Sequence, residues 1–152
     1  MREAAVGNFS DNTVFWSAFF AWLIAQGLKG LLALYKHKRW DFRRFVGAGG
    51  MPSSHSAFVS ALATGVGLTD GWASTSFALA LVFSLIVMYD AAGVRLAASK
   101  QATILNKMMQ EFFDEREFHH ERLKELIGHT PVEVIVGALL GIFIGWWLVG
   151  RI

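Results

Sequence analysis

Apolar residues gather in four blocks along the chain, and polar or charged stretches separate them. The first, residues 13–35, runs Val14, Phe15, Trp16, Phe19, Phe20, Trp22, Leu23, Ile24 and on through Leu28, Leu31, Leu32 and Leu34 to Tyr35. Its length suits the hydrocarbon thickness of a bilayer. The second, 52–69, is shorter and rich in Ala, Ser, Thr and Gly from Ala57 to Leu68, which predicts a helix inside a bundle. The third, 73–95, is rich in Leu, Val, Ile and Phe and closes on Asp90 and Arg95. The last, 131–149, places Gly137, Gly141 and Gly145 four residues apart, a small-residue stripe that either packs internally or builds a homodimer. Between the third and fourth blocks, residues 96–128 are polar. Ile104, Leu105, Met108, Met109, Phe112 and Phe113 recur at helical spacing there, followed by Leu123, Leu126 and Ile127. The pattern predicts an all-α integral membrane bundle of about four transmembrane helices, with a cytoplasmic amphipathic helix or hairpin, in one domain over 1–152.

Local signals set the expected ends. Asn12 or Asp11 caps the first helix, Pro52 sits in the first turn of the second, and Thr130 caps the fourth with Pro131 at its first position. Thr69-Asp70-Gly71-Trp72 reads as a tight turn on the outer side. Residues 1–12 are polar, and the block after them is too long for a signal core, so it is read as a retained span.

Composition sharpens the class. Of 152 residues, 54% are hydrophobic and only 17% charged, which is too apolar for an ordinary soluble domain. A net charge of +2 with no aromatic-basic motif argues against a nucleic-acid partner. The absence of cysteine excludes thiolate catalysis, disulfides and cysteine-ligated zinc. Charge is concentrated in Lys36-His37-Lys38-Arg39 through Arg43-Arg44, a loop that the positive-inside rule puts in the cytoplasm. The stretch after Arg95 and the turn at His129 fall on the same side.

That side collects the reactive residues. His55 and His129 both lie at predicted helix starts, where unpaired N–H groups and the helix dipole favour a bound phosphate. Two imidazoles ringed by cations fit phosphoryl transfer through a phosphohistidine, one attacking phosphorus and the other protonating the leaving alkoxide. Glu133, four residues after His129, is placed to fix that imidazole's tautomer, so His129 reads as the nucleophile and His55 as the acid. Lys29, three residues from Gln26 on one face of the first span, either snorkels to the membrane surface or points inward to an anion. Asp90 and Arg95 form an interfacial ion pair, or Asp90 holds Arg95 toward a phosphate. His119 and His120 diverge on a helix and read as surface residues, so no metal site is expected, and metal-assisted hydrolysis through Asp90, Asp114 or that pair is the alternative.

Four segments carry a family resemblance: Gly49 to Ala57, Tyr89 to Arg95, Lys100-Gln101-Ala102 with Leu105-Asn106, and Leu123 to Val134. Together they resemble the divergent branch of the type 2 phosphatidic acid phosphatase superfamily, relatives of the vanadium haloperoxidases. The superfamily pattern is Lys-x6-Arg-Pro, Pro-Ser-Gly-His and Ser-Arg-x5-His-x3-Asp. Lys36 and Arg43 have the first spacing, with Arg44 in place of proline and Lys29 as a competing lysine. Pro52-Ser53-Ser54-His55 matches the second with serine for glycine, and His129-x3-Glu133 closes the third with glutamate for aspartate. The Ser-Arg is absent: Leu123 stands there between Arg122 and Lys124, and Arg95 is the candidate replacement. The resemblance implies a metal-independent, cofactor-free phosphatase of the bacterial inner membrane acting on a membrane lipid. Phosphatidylglycerophosphate is the first substrate to test. Polyprenyl-phosphate, polyprenyl-pyrophosphate or phosphatidate hydrolysis, and non-catalytic lipid-phosphate binding or translocation, are the alternatives. The implied phosphate-binding set is Lys29, Lys36, Arg43, Ser53, Ser54, Arg95 and Lys124, supported by Asp90 and Gln26.

Overall fold

The structure, a computed structural model, describes residues 8–37, 50–113 and 129–151. A short 3-10 turn, Phe9–Asp11, leads into five α-helices: α1 (Thr13–His37), α2 (Ser54–Asp70), α3 (Thr75–Ala92), α4 (Val94–Phe113) and α5 (Pro131–Val149). No strand occurs among the described residues. The Asn12 carboxamide accepts the Phe15 N–H at 2.9 Å, so Asn12 caps α1.

Helix α2 is the hub, packed against α1, α3 and α5. Its buried residues are all small or medium: Ser54, Ser56, Ala57, Val59, Ser60, Ala61, Ala63, Thr64, Gly65 and Gly67. Ala18, Ala21 and Ala25 of α1 meet Ala57 and Ala61 in the core, with Ile144 of α5. The largest completely buried side chains are serines. Large apolar residues point outward instead, among them Leu79, Phe83, Ile86, Leu139 and Phe143. That inside-out distribution is what a bilayer demands. Lipid tails solvate Leu and Phe as well as a protein core does, so helices associate through close backbone approach and hydrogen bonds.

Three helical segments are long and apolar enough to cross a membrane: Thr13–Tyr35, Thr75–Ala92 and Pro131–Val149. Helix α2, at 17 residues, is the interior member that these surround. The expected helical membrane bundle is therefore present.

The glycine stripe of α5 explains the tightest contact. A Cβ on Gly137 would lie 2.3 Å from the Ser53 carbonyl oxygen, one on Gly141 2.2 Å from that of Ala57, and one on Gly145 2.8 Å from that of Ala61. Helices α5 and α2 thus run parallel, backbone on backbone, in a four-residue register. The stripe packs inside the chain, and no surface is left from it for a dimer. Ser84 of α3 donates to the Val59 carbonyl at 2.8 Å and ties α3 to α2; such bonds contribute about 0.6–2 kcal/mol in lipid.

Two expectations fail locally. Pro52 is not in the first turn of α2. Ser53, extended at φ −69° and ψ 115°, is the N-cap, because its hydroxyl can accept the Ser56 N–H. Pro52 stands before it, after a cis Met51–Pro52 peptide. The third span also does not continue to Arg95. The apolar run ends at Tyr89, the helix stops at Ala92, and Gly93 turns the chain into α4. Glycine, without a Cβ, makes such a break inexpensive. Arg95 therefore belongs to α4 rather than to the helix that carries Asp90.

Candidate active site

At one end of the bundle, α1 and α3 finish while α2 and α5 begin. The opposite end carries aromatic residues suited to a membrane interface: Trp16 near the start of α1, Trp72 stacked edge-on to Phe77, and Trp147 under Arg151.

The start of α5 is built by a reciprocal cap. Thr130 Oγ1 accepts the Glu133 N–H at 3.4 Å, and the Glu133 carboxylate accepts the Thr130 N–H at 3.1 Å. The same oxygen, Oε2, lies 3.1 Å from His129 Nδ1. A carboxylate accepts, so Nδ1 is the donor of this pair, and in the neutral imidazole the lone pair falls on Nε2. His129 is 3% exposed, and its backbone N–H donates to the Ala91 carbonyl at 3.2 Å. The segment Asp90–Ala91, singled out in the sequence, thus anchors His129 through its main chain.

The start of α2 is joined to this one directly. The Ser53 N–H donates to the Glu133 carbonyl at 3.0 Å. Ser53 is fully buried, and its Oγ accepts from Ser56 Oγ at 3.0 Å, so its immediate work is to fix the α2 start. Ser54, 3% exposed, opens the helix, and His55 follows on its exposed side. The imidazoles of His55 and His129 stand with ring centroids 6.4 Å apart, tilted by 62°. At that centroid separation the two rings are neighbours, close enough for one phosphoryl group to reach both.

Lys29 joins them from α1. It is 7% exposed, and its stem packs against Gly50, where an added Cβ would come within 3.1 Å of Cε. Gly50 has φ +95°, a conformation that favours glycine. The Glu133 carboxylate acts electrostatically on the Lys29 ammonium. Lys29 therefore points into the bundle rather than snorkelling outward. One turn away, Gln26 Oε1 is buried and has no hydrogen-bond partner among the described residues.

Of the candidate residues, His55, His129, Glu133, Ser53, Ser54 and Lys29 come together here, with Asp90 at the adjoining end of α3. Arg43, Lys124, His119 and His120 lie outside the described residues, as do the side chains of Lys36 and Arg95. Sequence reading missed three positions that shape the site: Gly137 against Ser53, Gly50 against Lys29, and the Ala91 carbonyl under His129. The glycines were visible as glycines, but only the packing says what each leaves room for.

Fold and site together define a helical membrane protein with paired imidazoles at two adjoining helix starts. The chain belongs to the Divergent PAP2 family, whose model matches residues 10–144. It is similar to an uncharacterized membrane protein, YuiD, of Bacillus subtilis (strain 168), with 40% identity over 139 residues, 84% of this chain and 88% of the relative. No solved structure matches the chain.

Proposed function

We propose that this protein is a lipid phosphate phosphatase that hydrolyses a phosphomonoester through a phosphohistidine. The observation that carries this reading is the neighbouring pair His55 and His129, with Glu133 on His129 Nδ1. His129 Nε2 attacks phosphorus, the P–O ester bond breaks, and the leaving alkoxide takes a proton from His55. His55, now neutral, removes a proton from water, whose oxygen attacks phosphorus. The P–N bond breaks, inorganic phosphate leaves, and His129 is restored. Glu133 stabilises the positive charge that develops on His129. Lys29 and the first N–H groups of α2 neutralise the phosphoryl oxygens.

Helix α1 ends at His37 on the site's end of the bundle, and the sequence from Lys36 to Arg44 is basic, which supports a cytoplasmic position by the positive-inside rule. Phospholipid synthesis presents its phosphorylated intermediates there, so phosphatidylglycerophosphate is the substrate we favour. The test is phosphate release from purified phosphatidylglycerophosphate, phosphatidate, polyprenyl phosphate and polyprenyl pyrophosphate, wild type against His129→Ala. The expected result is release that is fastest from phosphatidylglycerophosphate and is abolished in the variant. Equal rates in His129→Ala would remove the nucleophile, and tight binding without release from any lipid would make the protein a binder.

A further inference from the structure

Helix α4 has its polarity inverted relative to a water-facing amphipathic helix. With successive residues about 100° apart, Ile104, Leu105, Met108 and Met109 share one side with Ala97 and Ala98, and Gln101 is the one polar residue among them. That side is bare: Ile104 is 58% exposed, Leu105 48%, Met108 51% and Met109 39%. The opposite side carries Ala102, Thr103 and Asn106, each only partly exposed, with exposed Gln110 at its end, and both Thr103 and Asn106 are engaged in interactions. Lys100 and Lys107, exposed, lie along one flank of the apolar stripe.

Large apolar residues shown outward over two turns would be costly in water. Two features identify what covers them. The stripe continues a surface that already faces lipid, because only Gly93 separates α4 from α3, whose Leu79, Leu85, Ile86 and Tyr89 are exposed in the same way. The flanking lysines add charge suited to phosphate headgroups. We infer that α4 lies in the membrane interface, its Ile104–Met109 stripe in the acyl boundary of the leaflet at the active-site end and Lys100 and Lys107 among anionic headgroups. Interfacial helices of this kind sink about 5–10 Å into that boundary. The placement would hold the site's end of the bundle at the depth of lipid phosphates, but it does not depend on the chain being an enzyme.

The natural absence of cysteine makes the test direct. Single variants Ile104→Cys, Met108→Cys and Lys107→Cys of the full chain are labelled with an environment-sensitive fluorophore. Each is reconstituted in phosphatidylcholine vesicles with and without phosphatidylglycerol. Labels at 104 and 108 should be blue-shifted and quenched several-fold more by nitroxides on lipid chains than by aqueous iodide, with the reverse at 107. Adding phosphatidylglycerol should deepen the labels at 104 and 108, and Lys100→Gln with Lys107→Gln should remove that response. Iodide quenching at 104 and 108 without lipid quenching would put the helix in water and overturn the inference. Protection from both quenchers, with spin labels at 108 coupled between copies, would assign the stripe to a dimer and overturn it equally.

Discussion

Gly137→Ala tests the idea that backbone contact between α2 and α5 sets the distance between the two imidazoles. The added Cβ would sit 2.3 Å from the Ser53 carbonyl oxygen and 3.1 Å from the Ser53 nitrogen and carbonyl carbon. Ordinary contact begins near 3.4 Å, so roughly 1 Å of separation must be found between two helix starts. Neither clashing group is a flexible side-chain end, so a rotamer change cannot absorb it. Overpacking of this kind costs about 1–3 kcal/mol, against about 1 kcal/mol gained because alanine favours the helix. The net stability loss is therefore small, up to about 2 kcal/mol. The effect on turnover is larger. Ser53 is two residues before His55 and donates to the Glu133 carbonyl, so the same shift moves His55 away from His129 and strains that bond. A displacement near 1 Å between reacting groups costs on the order of 10²-fold in rate. The assay is phosphate release at saturating lipid phosphate, with thermal unfolding in the same detergent. Turnover should fall about 10²-fold while Tm drops only a few degrees. Wild-type turnover with an intact fold would refute the claim that this contact positions the histidines.

Three further outcomes are expected. Glu133→Gln keeps the shape of the α5 cap but removes the charge that stabilises protonated His129, so turnover should fall about 10²-fold or more with little change in lipid-phosphate binding; unchanged turnover would leave Glu133 a helix cap only. Lys29→Met preserves the stem against Gly50 and removes the ammonium, and the loss of one charge-assisted hydrogen bond should weaken phosphate binding by about 10- to 100-fold; an unchanged KM measured by phosphate release would reduce Lys29 to packing. Gly27→Ala meets nothing within 4 Å in the interior of α1 and should raise the unfolding temperature modestly through about 0.5–1 kcal/mol of helix propensity, as scanning calorimetry would show; destabilisation would mean that α1 has a neighbour there in the membrane.

The sequence alone determined the class of molecule and the local pairing of His129 with Glu133. Apolar block lengths, the small-residue stripes and the Thr130–Glu133 capping pattern are local properties, and local physics reads them directly: helix period, bilayer thickness and N–H groups in need of acceptors. His129 with Glu133 was legible for the same reason, because four residues apart on a helix means adjacent. Tertiary structure decided what distance along the chain hides. It put His55 beside His129 across 74 residues, chose the inward reading of Lys29, and chose the internal seam over the dimer surface for the glycine stripe. Those choices depend on which backbones approach closely enough to exclude a Cβ, a property of two helices at once that neither helix's residue pattern contains.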